Sequence, residues 1–526
     1  MWRSFIEWLR SLFNKKGGGG VEATTLTQEL QKNKWAGLNQ YIAQHDILLK
    51  SIVLQQSYYD GKHAVLVRQP KRADDPNHRL VINYAKLIVN LPTDYMVGKP
   101  VSVEVPDSAA SKYGADLERL KGFRQKLEDV REDNSDHHID FTTVRNGLTA
   151  GGAGVLFYFD HRLDIRYRAY PLNRLFPVTN EYGDIIGAIH RYTKEEVRNG
   201  TTETAEYVEW YDDTHVYYLK RDGTDLVEDP RKEVKVAYHQ FPMVPIAWFR
   251  GDEAQTPPTT DIPMGMSAID DPSITIIDEI NRALSDNANK MDVFNDPFLK
   301  FIGEFPKPEE MAKMRTSRAV GSKNPEAVID YLAPPIDEKP IVAHLKELTE
   351  RLFDVAQLPK IFKDTANGNL SGVAIQQMYA PLEIATNARE IHFDEYYRRK
   401  NMLLTYGIQA KDWMIEGKDT ITEWQNVAKS QDTSMLYNWR WIYWTVHRNL
   451  PINVSEYVTM LTGLKDFISD ETILQLNPLV ENATEEKERL ERQKADRKQV
   501  DLENIDDYID GADKKIKNRS TKDDEE

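Results

Sequence analysis

Apolar residues recur at helical spacing along two long stretches in the second half of the chain, and a third long helix is expected after them. Ile277, Ile280, Leu284, Ala288 and Met291 lay one apolar stripe along one face of a helix. Pro297 and the run from Phe305 to Pro308 end that helix and open a short excursion rich in proline and lysine. Ile341, Leu345, Leu348, Leu352 and Val355 mark a returning helix, closed by Pro359. A polar Gly/Asn loop follows from Asp364 to Gly372, with Leu370 as its one sizeable apolar residue. Ser371 is suited to cap a third helix of roughly 40 residues, a rod of about 60 Å, with a kink expected at Pro381. Helix out, excursion, helix back, loop and rod make a layout that lines a passage; it does not enclose an active site.

Earlier in the chain, Thr27 to Tyr59 reads as helix, stopped by Asp60-Gly61, and Val81 to Val89 as another. Val101, Val103 and Val105 alternate as a strand, and Leu117 to Leu148 reads as one charged helix. The glycines of Ala150 to Gly154 end that helix and lead into a β-rich block. Val155–Phe159, Leu163–Tyr170, Ile185–Tyr192, Tyr207–Tyr211, Val216–Leu219 and Ile246–Phe249 are its expected strands, arranged as an antiparallel meander. Trp439 to Val446 is expected as a further, buried strand, and Val454–Leu464 and Ser469–Leu476 as helices. From Glu481 the chain is polar and is expected to fray into the acidic end Asp523 to Glu526. The fold class is α+β.

The 526 residues include no cysteine, which excludes disulfides and thiolate chemistry and suits assembly inside a cell. A net charge of −16 argues against wrapping nucleic acid on a basic surface, though not against letting it pass. No apolar run approaches the ~20 residues of a membrane span. The segment from Met1 to Phe13 is amphipathic, with Trp2, Phe5, Ile6, Leu9, Leu12 and Phe13 against Arg3, Glu7 and Arg10, and four glycines follow Lys16. It reads as a helix packing on its own oligomer or simply frayed, or else as a docking helix for a partner or a membrane surface.

Enzyme signatures fail on specific grounds. Gly98-Lys99 is followed by Pro100 and lacks the upstream glycine of a phosphate loop, and the glycines at 151–154 precede a strand where a dinucleotide fingerprint must follow one. His137-His138, beside Asp136 and Asp140, has no second cluster at metal-ligand spacing and reads as solvated surface. No cofactor or metal is expected. Trp424, Trp439, Trp441 and Trp444 lack the interleaved cations of a base-stacking platform and read as packing. Two basic elements remain: Lys307, Lys313, Arg315, Arg318 and Lys323 on the excursion, and Lys360 and Lys363 ahead of the polar loop.

In this order the residues resemble the portal proteins of tailed bacteriophages, of the type found in long-tailed phages of Gram-positive bacteria. The likeness is carried by Asn83–Val89 with Asp94–Pro100, by His239–Phe249, by Ile277–Asp286, and by Arg448–Asn453 with Leu476–Val480. The resemblance implies a wing over 27–270 with a return strand within 412–451, and stem helices at 271–300 and 340–357. It places a clip at 301–339, a tunnel loop at 358–372, a kinked spine helix at 373–411, and a crown with a charged tail at 452–526. Residues 1–26 stand outside this plan as the amphipathic segment and its glycine linker.

The family forms a ring, usually of twelve subunits, at one capsid vertex. It is assembled in the host cytoplasm, and double-stranded DNA passes through it, pumped by a separate motor. Implied partners are the chain itself, DNA, the large terminase subunit, a head-completion or adaptor protein, and the major capsid and scaffolding proteins; no membrane is implied. Lys307, Lys313, Arg315 and Arg318 would meet partners, and Lys360, Lys363, Asn367 and Asn369 would touch passing DNA. A conduit that repels phosphate weakly suits the acidic chain, with Asp278, Asp286 and Asp292 on the polar side of the first stem helix. The competing readings are a phage nuclease-like enzyme, for which no Mg²⁺-binding carboxylate spacing stands out, and a non-viral helical scaffold.

Overall fold

The computed structural model describes residues 26–495, apart from 253–261, 304–306, 312–323, 333–337, 361–371, 431–435, 450–458, 481–485 and isolated single or paired positions. The chain forms two compact units, Met1–Leu370 with Ala374–Asn449, and Ser371–Val373 with Leu450–Glu526.

The first unit opens with helix α1 (Ala36–Tyr59), a 3₁₀ turn (Ala64–Val67), α2 (Tyr84–Val97), strand β1 (Ser102–Glu104) and α3 (Ser108–Tyr113). Helix α2 starts later than the apolar pattern suggests. The Asn83 side chain accepts the Lys86 amide at its N-cap, which leaves the residues before it extended. Two helices, α4 (Leu117–Asp133) and α5 (Asp136–Ala150), stand where the pattern predicts one. Asn134 divides them: its amide donates to the Val130 and Ile165 carbonyls at 2.7 and 2.9 Å, and Ser135 takes a left-handed conformation with φ 52°. A side chain that bonds outside the helix competes with the helical ladder. Gly151, at φ 81°, closes α5 as a left-handed cap.

The β-rich block follows: β2 (Gly152–Phe159), β3 (Ile165–Pro171), β4 (Leu175–Thr179), β5 (Ile185–Arg198), β6 (Thr201–Tyr211), β7 (His215–Asp222), β8 (Asp225–Glu228), β9 (Val236–Tyr238) and β10 (Ile246–Arg250). The expected single meander is two antiparallel sheets, β10-β2-β3 and β4-β5-β6-β7-β8, with β9 beside β7. The smaller sheet separates two cores by its period-two alternation. Val155, Phe157, Ala247 and Phe249 face the helical core, while Leu156, Ile246 and Trp248 face the core of the larger sheet.

Helix α6 (Asp271–Asn295) leads into β11 (Phe298–Ile302), which pairs antiparallel with β12 (Val328–Leu332) before α7 (Glu338–Val355) returns. The 44-residue α8 (Gly372–Ile415) contains Pro381, and α9 (Thr420–Ser430) follows. The strand expected over Trp439–Val446 is a 3₁₀ turn at Trp439–Trp441 and a short β13 (Tyr443–Thr445) paired with β1. Trp424 and Trp441 are buried, and the Trp444 indole donates to Asp394 at 2.9 Å, so these tryptophans pack. In the second unit α10 (Asp470–Leu476), N-capped by Ser469, lies between helical stretches at 461–464 and 489–495.

The acidic face of α5 is not solvated surface. Asp136 and Asp140 are buried, and the ammonium of Lys400 on α8, fully buried, lies 2.6 Å from each. Arg131 adds a second cation to Asp136 at 2.8 Å, and the hydroxyls of Tyr167 and Tyr396 donate to the two carboxylates. Burial opposes ionisation of both. Lys400 and Arg131 overcome it at Asp136 and hold that carboxyl low, whereas at Asp140 burial and the neighbouring Asp136 charge prevail over Lys400 and raise it. The His137 ring meets the Val97 carbonyl at 3.0 Å. This network fastens the long helix α8 to α5.

Candidate functional site

Helices α6 and α7 pack against each other in the first unit, with the β11–β12 hairpin between them in the chain. Their stripes meet where they enter the body: Ile277, Ile280 and Leu352 are buried in the helical core, and Leu284, Leu345 and Leu348 are half-buried against it. His344 on α7 reaches Glu279 on α6 at 3.4 Å. In the hairpin Lys300 faces Asp330 and Ile302 faces Val328 across the ladder. Sequence reasoning missed this hairpin. Its only signal there is two short apolar runs, overshadowed by the prolines and lysines of the excursion.

The polar face of α6 is occupied by the chain's own N-terminal region. Asn281, Ser285 and Asn289 stand four residues apart, and their side-chain oxygens accept the amides of Ile82, Leu80 and His78 at 2.8, 3.0 and 2.7 Å. Four helical residues rise about 6 Å and two extended residues span about 6.6 Å, so an antiparallel strap can bond at every step. Asn281 and Ser285 are fully buried, and the Asn281 amide also donates to the His63 ring at 2.8 Å. The signal for this strap is an Asn/Ser/Asn repeat at helical spacing; a reading that follows only apolar stripes passes over it.

The same N-terminal region gives partners to three carboxylates expected on the polar side of this helix. Asp278 accepts the Tyr58 hydroxyl at 2.7 Å, Asp286 pairs with Arg68 at 2.5 Å, and Asp292 pairs with His78 at 2.5 Å. Each acid thus has a partner inside the protomer, but the partners differ: Arg68 brings a full charge to Asp286, His78 balances Asp292 only when protonated, and the Tyr58 hydroxyl is a neutral donor that leaves the Asp278 charge in place. Burial, and then the hydrogen bond to Asp278 and its charge, push the Tyr58 hydroxyl well above its usual value. The exposed charges of α7 pair along the helix instead, Glu347 with Arg351 at 3.0 Å and Lys346 with Glu350 at 3.8 Å.

Of the expected site residues, Lys360 is exposed and its ammonium lies 2.5 Å from Asp354 in the last turn of α7. Lys363, Asn367 and Asn369 lie outside the described residues, as do Lys313, Arg315 and Arg318. Lys307 is exposed at the start of a helical turn, its carbonyl accepting the Met311 amide at 3.0 Å. Of the two expected sets the described residues thus include only Lys307 and Lys360. Among those residues no group of three His, Asp or Glu is placed to hold a metal ion, and no helix is long and apolar enough to cross a membrane.

Three comparisons bear on this arrangement. The family model described as "Phage portal protein, SPP1 Gp6-like" matches residues 38–500. The portal protein of Bacillus phage SPP1 is 22% identical over 471 residues, covering 87% of this chain and 82% of its own length. A solved structure, the neck of a native GTA particle computed with C12 symmetry, is 14% identical with a TM-score of 0.36, covering 75% of this chain and 89% of that one.

Proposed function

The chain belongs to the SPP1 Gp6-like family of phage portal proteins, and from that membership we propose that it forms the ring at one capsid vertex through which double-stranded DNA is packaged and ejected. Family membership supports a virion-associated oligomer; the finer assignments are ours. The match over residues 38–500 carries the reading, because it spans the body and the α6–hairpin–α7 excursion alike.

In this reading α6 and α7 are the stem, the hairpin and its flanks the clip, residues 358–372 the tunnel loop, and α8 the spine. The ring holds twelve copies, and its clip, with Lys307, Lys313, Arg315 and Arg318, docks the large terminase subunit and the head-completion protein in turn; the capsid and scaffolding proteins surround the body. The exposed face of α7 carries charges that satisfy one another, which favours a wall that neither grips nor strongly repels phosphate. Lys360, Lys363, Asn367 and Asn369 touch the DNA backbone only in passing, since a firm grip would stall it. The protein acts by structure and performs no catalysis.

Electron microscopy of the purified protein should show a ring with a central channel. Deleting Ala366–Asn369 should leave those rings intact and shorten the DNA packaged or retained; a stably held full-length genome would reduce the loop to a linker. A compact monomer in the images would remove the portal reading itself.

A further inference from the structure

The second unit contains an open groove of about 730 Å³ between helix α10 and the helical stretches at 461–464 and 489–495. Its floor is apolar, made by Leu461, which is buried, and by Ile473, Leu474 and Leu490, which are half-buried. Exposed Lys465, Lys487 and Lys494 stand around it, against Asp470 and Glu491. A floor of this kind beneath a cationic rim fits an amphipathic segment that carries acidic residues beside its apolar stripe.

The chain supplies such a segment beyond the described residues. From Asp501 to Asp510 it carries Asp501, Glu503, Asp506, Asp507 and Asp510 and no basic residue. Leu502, Ile505 and Ile509 are spaced at i, i+3 and i+7, one helical face, and Gly511 follows as a stop signal. Residues 496–500 link the helical stretch that carries Lys494 to Asp501 and span up to ~17 Å when extended, enough to turn the segment back over the groove. We propose that the segment Asp501–Asp510 docks in this groove in cis, its apolar face on Leu461, Ile473, Leu474 and Leu490 and its acidic flank against the three lysines. The remaining residues, 511–526, stay outside the contact. The inference is independent of the portal reading, since it concerns one unit of one chain.

The absence of cysteine makes the test clean. The full-length double variant Ile473→Cys with Ile505→Cys, oxidised under mild conditions, should form an intrachain disulfide seen as a linked tryptic peptide pair. A control pair, Ile473→Cys with Ser520→Cys, should not. Raising NaCl to about 1 M should slow the cross-link at least threefold, because it screens the lysine rim. Adding Lys465→Glu, Lys487→Glu and Lys494→Glu should lower its yield about tenfold at low salt. A disulfide ladder between chains would assign the groove to a neighbouring copy's tail and overturn the proposal. So would equal linkage in the Ile505→Cys and Ser520→Cys pairs, or no linkage at all, the result expected if the 489–495 helix simply continues.

Discussion

Asp213 shows how a single residue can store a pH response. It is 4% exposed, and its Oδ2 has no hydrogen-bond partner. Burial, and then the charge of Asp212, push its carboxyl up to about 8. A carboxyl that titrates higher in the fold than in the unfolded chain carries an extra proton in the fold between about pH 4 and about 8. Its stabilising contribution is therefore whole at low pH and is lost as pH rises through about 8. Asp213→Asn removes that titration. In urea denaturation followed from pH 4 to 9, the wild type should lose stability relative to the variant at up to ~1.4 kcal/mol per pH unit, levelling above about pH 8. Parallel stability curves for the two proteins would show that Asp213 titrates normally.

Among the elements, the strap over α6 is the contact that matters most, because it ties this helix to the residues before α2. Its three hydrogen bonds join backbone amides of the strap to side chains on α6, so each can be removed without touching the strap. Replacing Asn281, which is fully buried, with leucine leaves the Ile82 amide and Nδ1 of His63 without their partner. The loss should cost about 1–3 kcal/mol and speed hydrogen exchange at the Leu80 and Ile82 amides about tenfold or more. The exposed control Thr275→Ala should change neither. Exchange rates in Asn281→Leu equal to those of the wild type would mean that the strap is held by packing alone.

At the level of the full protomer and its neighbours, a ring needs apolar surface on one copy that the next can cover. Leu284 and Leu348 serve this poorly as probes, since both pack within the protomer and an aspartate there would damage the fold as well. Helix α8 offers a cleaner face: Ile384 and Ile391 are 66% and 64% exposed, seven residues apart, with exposed Ala388 between them. The double variant Ile384→Asp with Ile391→Asp should keep its helical spectrum and elute as a species of protomer size in light-scattering chromatography. Rings of unchanged mass would remove this face from the contact.

Features with local causes are legible in the amino-acid order alone. Apolar stripes at helical spacing announce α6 and α7 within a few residues of their ends, and alternation announces most strands of the β-rich block. The ordered set of motifs also points to the portal family, to which the chain belongs. Whatever depends on distant partners is settled by folding instead. Lys400 meets Asp140 across 260 residues of chain, so nothing near His137 could show that this acidic turn is buried and paired. The break at Asn134 is made by carbonyls of α4 and β3 that compete with the helix, and the strand expected over Trp439–Val446 shrinks because β1 offers only three residues to pair with. The carboxylates of α6 look free in sequence because Tyr58, Arg68 and His78 lie more than 200 positions earlier. A side chain's propensity is written where it stands, whereas its charge state and exposure are set by whatever the fold brings against it.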